Sequence, residues 1–244
     1  MKSWLIAMYN KEMFFPGWLI GVWINPFFII RRGVFRGVKN ISSCFVGGKL
    51  LDVGCGSKPY EQLFNVDKYV GIDIEVSGHN HGNSKVDYFY DGKTIPFSDE
   101  EFNWVFSSEV FEHVFNLSGL LVEINRVLAT DGKLAFTCPF VWDEHEQPYD
   151  YARYTSFAVH DLMEKHGFEV ESLFKSTSYF ETVMQMLAAY VSQHCLPKNI
   201  YLHLVLTPLL VSPFNIIGCS LGKLLPKSED FYHNNIVIAV KKKG

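Results

Sequence analysis

The sequence predicts an α/β protein whose sheet is mostly parallel and carries helices on both faces. Seven apolar segments have the length and composition of strands: 49–53, 69–74, 85–89, 103–107, 133–138, 168–174 and 235–241. Segments with helical periodicity are interspersed with them, at 59–65, 117–129 and 156–166. Strands and helices that alternate in this way fold as parallel strands joined by right-handed crossovers.

The composition argues against several classes of protein. The net charge is −4, and no basic stripe with interleaved aromatic residues is present, so a nucleic-acid partner is not expected. The five cysteines, at positions 44, 55, 138, 195 and 219, lie far apart without a C-x-x-C pair. This spacing predicts a reducing compartment and no metal site.

The most informative segment runs from Leu50 to Tyr60, where an apolar strand leads directly into a Gly-x-Gly turn. Gly54 and Gly56 lack a Cβ, so the turn can be tight and a ligand can approach the backbone. A helix is expected from Pro59 onward, and its free N–H groups would suit an anion. The next strand ends at Asp73, close to the spacing of about 20 residues at which an acid meets a ribose hydroxyl.

Three more segments follow in order: DGKTIPF from Asp91, SSEVFEHV from Ser107, and a helix, turn and strand around Asp131. With them the chain resembles the class I S-adenosylmethionine-dependent methyltransferases, specifically the small-molecule, type 11-like branch. The resemblance covers about residues 48–175 and the last strand. It implies a Rossmann-like, seven-stranded sheet of order 3-2-1-4-5-7-6 with helices on both faces, and S-adenosyl-L-methionine as the cofactor.

The resemblance also implies a set of cofactor-binding residues. They are Asp52, Gly54, Cys55, Gly56, Ser57, Asp73, Ile74, Asp91, Gly92, Ser107 and Ser108. The glycine turn would lie along the methionine portion of the cofactor, with Asp52 helping to hold the ammonium group. Asp73 would accept both ribose hydroxyls, and Asp91 would accept the adenine amino group. Two alternatives stay open, since Asp91 could simply start a turn and Asp73 could cap a loop.

Two departures from the family pattern stand out. Lys58 occupies the place of a third glycine, and its side chain is expected near the cofactor carboxylate or in solvent. Asn103 replaces an acid before the fourth strand, which affects only a surface contact. A dinucleotide-dependent oxidoreductase is the weaker alternative, because Pro59 stands where its third glycine is needed and Asp52 would face a pyrophosphate. A non-catalytic cofactor-binding or scaffold protein with the same fold is a further alternative.

The segment from Cys138 to Thr155 leaves the fifth strand and is rich in histidines, acids and aromatic residues. Such a loop can position and deprotonate a hydroxyl, so His145 is the first candidate for general base and His113 the second. Tyr149, Asp150 and Arg153 are candidates for substrate binding, although Asp150 and Arg153 could merely pair with each other. The expected reaction is O-methylation, by in-line displacement, of a small-molecule, glycan or lipid-linked acceptor.

The chain is expected to divide into four segments: an apolar, helical N-terminal extension (1–47), the cofactor-binding core (48–175), a helical insertion (176–233) and the last strand (234–244). The insertion is too long for a plain loop. Residues 13–30 and 199–222 contain no charged side chain and are interrupted by prolines. They could be buried helices, interfacial helices or membrane spans. Basic residues after the first run favour a cytoplasmic protein, with a peripheral contact to the inner face of the membrane.

Overall fold

Seven strands form one sheet in the order β3-β2-β1-β4-β5-β7-β6. They are β1 (Lys49–Val53), β2 (Lys68–Ile74), β3 (Tyr88–Tyr90), β4 (Phe102–Ser108), β5 (Leu128–Pro139), β6 (Phe168–Lys175) and β7 (Asn234–Lys241). The structure is a computed structural model that describes residues 11–75 and 84–243. The strand order is the one the sequence predicted, so the predicted fold class is confirmed.

The first five strands pair in parallel. In the centre of the sheet, Leu51 of β1 lies beside Val70 of β2 on one side and Val105 of β4 on the other. Strand β3 pairs with β2, and β5 pairs with β4, in the same parallel sense. The carboxyl ends of these strands therefore lie at one edge of the sheet, which is where ligands bind in open α/β folds.

Seven helices have both ends within the described residues, and residues 11–14 are helical as well. The seven helices are α1 (Gly21–Ile24), α2 (Phe28–Ser42), α3 (Leu117–Val127), α4 (Ser156–Lys165), α5 (Tyr179–Tyr190), α6 (Ile200–Leu210) and α7 (Ser212–Leu221), as found among the described residues. Helix α3 begins where the Asn116 side chain accepts a hydrogen bond from the Gly119 N–H, and α4 begins at a similar cap formed by Thr155. Both helices fall where the sequence predicted them.

The helix predicted at 59–65 is wrong. Within this range only Glu61–Leu63 are helical, and they form a short 3-10 helix. The flanking aromatic side chains explain why no longer α-helix forms. Tyr60 and Phe64 are both buried, with ring centroids 6.4 Å and 4.9 Å from that of Phe106. Anchoring both rings on one strand holds the chain in an irregular path that a regular helix would not follow. The expected helix N-terminus behind the glycine turn is therefore absent from this segment.

The chain divides into two compact units. One unit comprises residues 38–174 and 235–243, and its core is built from strand side chains together with Leu121, Ile124 and Val127 of α3 and Val159 and Met163 of α4. All of these residues are almost completely buried. This unit contains the glycine turn and every residue that the sequence singled out for cofactor or acceptor.

The other unit comprises residues 11–37 and 175–234. Its two chain segments are joined by buried amide side chains. Asn215 of α7 donates to the carbonyls of Val22 and Asn25 at 3.1 and 3.0 Å. Gln185 of α5 donates to one carbonyl of the N-terminal segment and accepts from the Ile30 N–H at 3.1 Å. The N-terminal segment and the insertion thus pack together.

Residues Tyr201–Leu221, which form α6 and α7 in succession, are long and apolar enough to cross a membrane by length and composition alone. Their mean hydropathy is 1.8, and 33% of the apolar window is buried within the protein. The same test is passed by core helices of water-soluble proteins. Membrane contact through 199–222 therefore stays a prediction.

Candidate active site

The glycine turn follows β1 and has left-handed backbone at both glycines, with φ of +73° at Gly54 and +49° at Gly56. A Cβ on Gly54 would collide with the Val110 side chain. A Cβ on Gly56 would have no heavy atom within 4 Å. The turn is thus packed on one side and open on the other, which leaves room for a ligand above Gly56.

Asp73, at the end of β2, is tied to this turn. Its Oδ2 accepts from the Gly56 N–H at 3.0 Å, and its Oδ1 accepts from the Ile74 N–H at 2.8 Å. Gly92, with φ of +73°, lies near Ile74, since a Cβ on Gly92 would be 3.4 Å from the Ile74 Cγ2. A carboxylate, an open turn and an apolar wall therefore lie together, which fits the ribose, methionine and adenine portions of S-adenosylmethionine.

Cys55 and Ser57, the other residues of the turn, differ in exposure. Cys55 is buried, and its Sγ lies against Gly71 of β2, so only its backbone can face a ligand. Ser57 is exposed. The Gly54 and Cys55 N–H groups both donate to the Ile72 carbonyl, at 2.9 and 3.1 Å. The shape of the turn therefore depends on its pairing with β2.

Asp52 and Lys58 form part of the support behind the turn. Asp52 is buried and accepts from the Tyr69 hydroxyl at 2.6 Å. Burial raises the pKa of Asp52 to about 7, although the Tyr69 hydrogen bond opposes the rise. The Lys58 Nζ lies 2.5 Å from an Asp87 carboxylate oxygen and is itself buried. The expectation that the Lys58 side chain points into solvent is wrong, whereas its position near the cofactor carboxylate and the ammonium contact of Asp52 stay predictions.

Asp91 starts a turn, as the alternative from the sequence allowed. Its Oδ1 accepts from the N–H groups of Lys93 and Thr94, at 2.8 and 2.9 Å. These bonds lower the pKa of the exposed Asp91 carboxyl. A contact with adenine would have to use the other carboxylate oxygen, so this role stays a prediction.

The two serines at the end of β4 differ in exposure. Ser107 is fully buried, and its hydroxyl donates to the Val53 carbonyl at 2.9 Å. Its side chain therefore links β4 to β1, and its predicted cofactor-binding role stays a prediction. Ser108 is half-buried, and its hydroxyl lies 2.9 Å from that of Thr137 on β5.

His113 and His145, the two predicted catalytic residues, lie side by side. Their ring centroids are 4.8 Å apart and the rings are nearly perpendicular, at 80°. His113 belongs to a 3-10 turn after β4, Phe111–His113, and His145 to the loop after β5. The His113 Nδ1 lies 2.8 Å from the Tyr149 carbonyl, which links the turn to that loop. The structure thus brings together two histidines that are 32 positions apart in the chain (145 − 113).

Asp150 and Arg153 pair with each other, as the sequence alternative anticipated. The Arg153 guanidinium donates to both carboxylate oxygens of Asp150, at 2.6 and 2.7 Å. This pairing lowers the pKa of Asp150 to about 2. Asp150 also accepts from the His145 N–H at 2.9 Å, so the pair fixes the loop that carries His145. The predicted substrate-binding roles of Tyr149, Asp150 and Arg153 stay predictions.

Glu112 is a site residue that sequence reasoning missed. It is fully buried, and neither carboxylate oxygen has a hydrogen-bond partner in the part of the chain that the structure describes. Burial and the nearby Glu109 carboxylate raise the pKa of Glu112. Its Oε1 lies 3.8 Å from the His113 Nε2. The available signal was the Glu112-His113 dipeptide, in which an acid directly precedes a candidate general base.

Comparison with known proteins identifies the family of the chain. A family model described as a methyltransferase domain matches residues 29–173, which is more than half of the chain. The chain belongs to this family of methyltransferase domains. An uncharacterized protein of Methanocaldococcus jannaschii is 33% identical over 101 residues, or 40% of this chain and 39% of that one. The chain thus aligns with well under half the length of that relative.

Solved structures share the fold at low sequence identity. A chain of the complex between the Haloferax volcanii Trm112 methyltransferase activator and a candidate methyltransferase has a TM-score of 0.57 and 14% identity, with 99% of this chain and 97% of that one covered. Haemonchus contortus phosphoethanolamine N-methyltransferase 2, in complex with S-adenosyl-L-methionine, has a TM-score of 0.56 and 18% identity, with 98% and 57% covered. The [4+2]-cyclase SpnF has a TM-score of 0.54 and 20% identity, with 85% and 80% covered.

Family and fold together define an S-adenosylmethionine-dependent methyltransferase of class I. The predicted family, enzyme class and cofactor are thereby confirmed. At these identities the solved structures establish the fold alone, and the cyclase among them illustrates that the fold does not fix the substrate.

Proposed function

We propose that this methyltransferase transfers the methyl group of S-adenosylmethionine to a hydroxyl oxygen of a small-molecule, glycan or lipid-linked acceptor. The observation that carries the cofactor side is the bond between Asp73 and the Gly56 N–H, next to a turn with open space above Gly56. The observation that supports acceptor binding is the pair of adjacent histidines, one of which lies three residues after Val110, whose side chain packs against Gly54.

S-adenosylmethionine, when bound, supplies an electrophilic methyl group on a sulfonium, which leaves as a neutral thioether. The chain must hold the acceptor oxygen in line with that methyl group, because alignment is the main requirement of such a displacement. Asp73 would hold the ribose, with Ile74 and Gly92 against the adenine ring. The backbone at Gly54 and Gly56 would face the methionine portion.

A general base is needed when the acceptor hydroxyl is weakly acidic, as in a sugar. His145 is half-exposed, with 31% of its side chain accessible, whereas the His113 side chain is 13% accessible. His145 would therefore take the acceptor proton as the O–CH₃ bond forms and the S–CH₃ bond breaks. His113 would pack against its ring and limit its orientation.

The first experiment measures cofactor binding by isothermal titration with S-adenosylhomocysteine. We expect Asp73→Asn to weaken binding at least ~10-fold, since two ribose hydrogen bonds are worth roughly 1–3 kcal/mol. The control is Asp161→Asn, because Asp161 lies exposed on α4. Equal affinity in both variants would contradict the assigned ribose contact.

The second experiment follows a radiolabelled methyl group from the cofactor into glycan, lipid and small-molecule fractions. Labelled product in one fraction identifies the acceptor class. Cofactor binding without labelling of any fraction would favour the non-catalytic alternative. Binding of a nicotinamide cofactor without binding of S-adenosylhomocysteine would favour the oxidoreductase.

We further propose that the unit formed by 11–37 and 175–234 touches the surface of a membrane on its cytoplasmic side. Leu202, Val205 and Leu209 are spaced three and four residues apart on α6, so they share one face, and they are 54%, 64% and 66% exposed. The partly exposed Trp18 ring lies under the Arg32 guanidinium at 4.6 Å, a pairing typical of lipid interfaces.

This contact is tested by sedimentation with vesicles that contain anionic lipid. The triple variant Leu202→Glu, Val205→Glu, Leu209→Glu should stay in the supernatant, whereas the wild-type protein should sediment. The matched control is Phe157→Glu, because Phe157 is 84% exposed on α4 in the other unit. A wild-type protein that never sediments would refute the contact.

A further inference from the structure

The turn after β4 and the loop after β5 bring three metal-binding types of side chain together. Glu112, His113 and His145 each offer one ligand atom, and these atoms lie within 4.8 Å of one another. Ligands held at ~2.1 Å around one ion are separated by about 3–3.5 Å. Side-chain movements on the order of 1 Å would therefore bring all three onto one ion.

The hydrogen-bond partners of the two histidines indicate which of their ring nitrogens carry protons. A carbonyl oxygen can only accept, so the Nδ1 of His113, 2.8 Å from the Tyr149 carbonyl, carries the proton. The Nδ1 of His145 lies 3.1 Å from the Asp143 carbonyl and 3.3 Å from an Asp150 carboxylate oxygen. These oxygens lie closer than the Arg153 guanidinium nitrogen, at 3.5 Å. Both Nε2 atoms then offer a lone pair, the arrangement that orients metal-bound histidines.

The polar atoms at the centre of this cluster form no hydrogen bond with the described part of the chain. Both Glu112 oxygens and the His113 Nε2 are buried without a hydrogen bond there. The His113 Nε2 lies 3.8 Å and 3.6 Å from carboxylate oxygens of Glu112 and Glu146, too far for hydrogen bonds. If Glu112 is ionised, no hydrogen-bond donor among the described residues pairs with its carboxylate. If Glu112 is protonated, no acceptor among them pairs with its hydroxyl. Unpaired buried polar groups are costly, so their convergence points to a ligand.

We infer that Glu112, His113 and His145 bind a divalent cation of the first transition row. Two imidazole nitrogens and one carboxylate suit Mn²⁺, Fe²⁺, Co²⁺ or Zn²⁺, whereas Mg²⁺ and Ca²⁺ prefer oxygen ligands throughout. This inference replaces the expectation, drawn from the cysteine spacing, that the protein has no metal site. A histidine nitrogen that binds the ion cannot also accept a proton, so the inference takes the place of the general-base role proposed above for His145, whereas methyl transfer to a hydroxyl oxygen stays as proposed.

The backbone on either side of the cluster is consistent with a built site. Glu109 and Glu146 both adopt left-handed φ, +57° and +52°. Such a conformation costs non-glycine residues about 1 kcal/mol or more and is concentrated at functional sites. The Tyr151 N–H donates to the Glu112 carbonyl at 2.9 Å, so the loop is fastened to the turn that holds the carboxylate.

The location links the cation to methyl transfer. Val110, two residues before Glu112, packs against Gly54 so tightly that a Cβ there would collide with it. With three protein ligands, the ion keeps open positions that can bind an acceptor hydroxyl and lower its pKa. This second step rests on the proposed function, whereas binding of the ion alone does not.

The test uses untagged, full-length protein, stripped with a chelator and titrated with Mn²⁺ by calorimetry and electron paramagnetic resonance. We expect a stoichiometry of about one, and binding at least ~10-fold weaker in His145→Gln and in Glu112→Gln. His160→Gln is the matched control, because His160 is exposed on α4. Failure of the wild-type protein to bind Mn²⁺, Co²⁺ or Zn²⁺, or equal binding in all variants, would overturn the inference.

Two further measurements keep the result unambiguous. Co²⁺ bound to two imidazoles and a carboxylate gives visible absorption bands, which should be lost in His145→Gln even if Glu112→Gln fails to fold. S-adenosylhomocysteine should bind the metal-free protein as tightly as the loaded one. If the ion binds and the cofactor does not, the proposed function fails and the metal site stands; the reverse result refutes the metal site alone.

Discussion

The Tyr69 hydroxyl lies 2.6 Å from a carboxylate oxygen of Asp52, and both groups are buried behind the glycine turn. The buried Asp52 carboxyl makes the stability of the protein depend on pH. Burial raises the pKa of Asp52 from 3.8 to about 7, so the folded protein keeps its proton over a range in which the unfolded chain loses it. The folded state is therefore stabilised by protonation of Asp52.

The first prediction concerns this pH dependence. The folded state binds more protons than the unfolded state between pH 3.8 and about 7, so the contribution of Asp52 to stability is complete below that window and lost as pH rises through it. Asp52→Asn cannot ionise and should remove this loss, which amounts to up to ~4 kcal/mol. Urea unfolding of both proteins across the window measures the difference, and parallel pH profiles would contradict it.

Tyr69→Phe extends the same prediction. The Tyr69 hydrogen bond favours the charged form of Asp52, so its removal should raise the pKa of Asp52 further. The loss of stability should then occur at higher pH than in the wild-type protein. The midpoint of the pH dependence is the readout. An unchanged midpoint would show that the hydroxyl does not act on this carboxyl.

The second prediction separates the two glycines of the turn. Gly54→Ala adds a methyl group that collides with Val110 and should strongly destabilise or unfold the protein. Gly56→Ala adds one into open space, so it should fold with a loss of about 1 kcal/mol for its left-handed backbone. Because that space is assigned to the cofactor, Gly56→Ala should weaken S-adenosylhomocysteine binding at least ~10-fold. Wild-type affinity for S-adenosylhomocysteine in a folded Gly56→Ala protein would show that the cofactor does not occupy the space next to Gly56.

The third prediction concerns Arg126, which holds the segment before β4. Its guanidinium donates to the carbonyls of Phe97 and Ile95 at 2.8 and 2.9 Å, and to Glu123 of α3. Arg126→Lys keeps the charge but cannot reach all three acceptors, so we expect a loss of about 1–3 kcal/mol in unfolding free energy. The control is Lys165→Ala, which breaks an exposed pair on α4 and should leave the unfolding midpoint unchanged.

The fourth prediction concerns the unit formed by 11–37 and 175–234. Asn215→Ala removes the side-chain amide that donates to the Val22 and Asn25 carbonyls. Both buried hydrogen bonds are then lost. We expect faster proteolysis of the N-terminal segment, because a buried polar group without its partner costs about 1–3 kcal/mol. Ile217→Ala is the control, since that side chain is 42% exposed on the same helix. Equal cleavage rates in both variants would contradict the role of Asn215.

The sheet and the glycine turn could be predicted because their signals are local. Strand β1, the Gly-x-Gly turn and the acid at the end of β2 fall within a short stretch, and their spacing reflects contacts between neighbouring strands. The helix at 59–65 failed for the opposite reason: Tyr60 and Phe64 are anchored on Phe106, a residue of β4 that is remote in sequence. No local pattern records that contact.

The residues proposed to bind the acceptor are also arranged by contacts that are distant in sequence. The histidines were recognised by residue type, and the pairing of Asp150 with Arg153 was one of two readings that their spacing allowed. The burial of Glu112 beside them was not predictable. The 3-10 turn that contains Glu112 is only three residues long, too short for a hydrophobic periodicity that would indicate which side chains face the core. Only the placement of the β5 loop against the β4 turn brings its carboxylate next to two imidazoles.

The discontinuous unit also imposes an order on biosynthesis. Residues 11–37 leave the ribosome before their packing partners in 175–234 are synthesised. At roughly 5–20 residues per second, the apolar segment 13–30 waits on the order of ten seconds for α5 and α7. During that interval Val22 and Phe28 lack Met184 and Cys219, which complete their buried cluster in the folded unit. The unit can therefore complete its packing only after both of its chain segments have been synthesised.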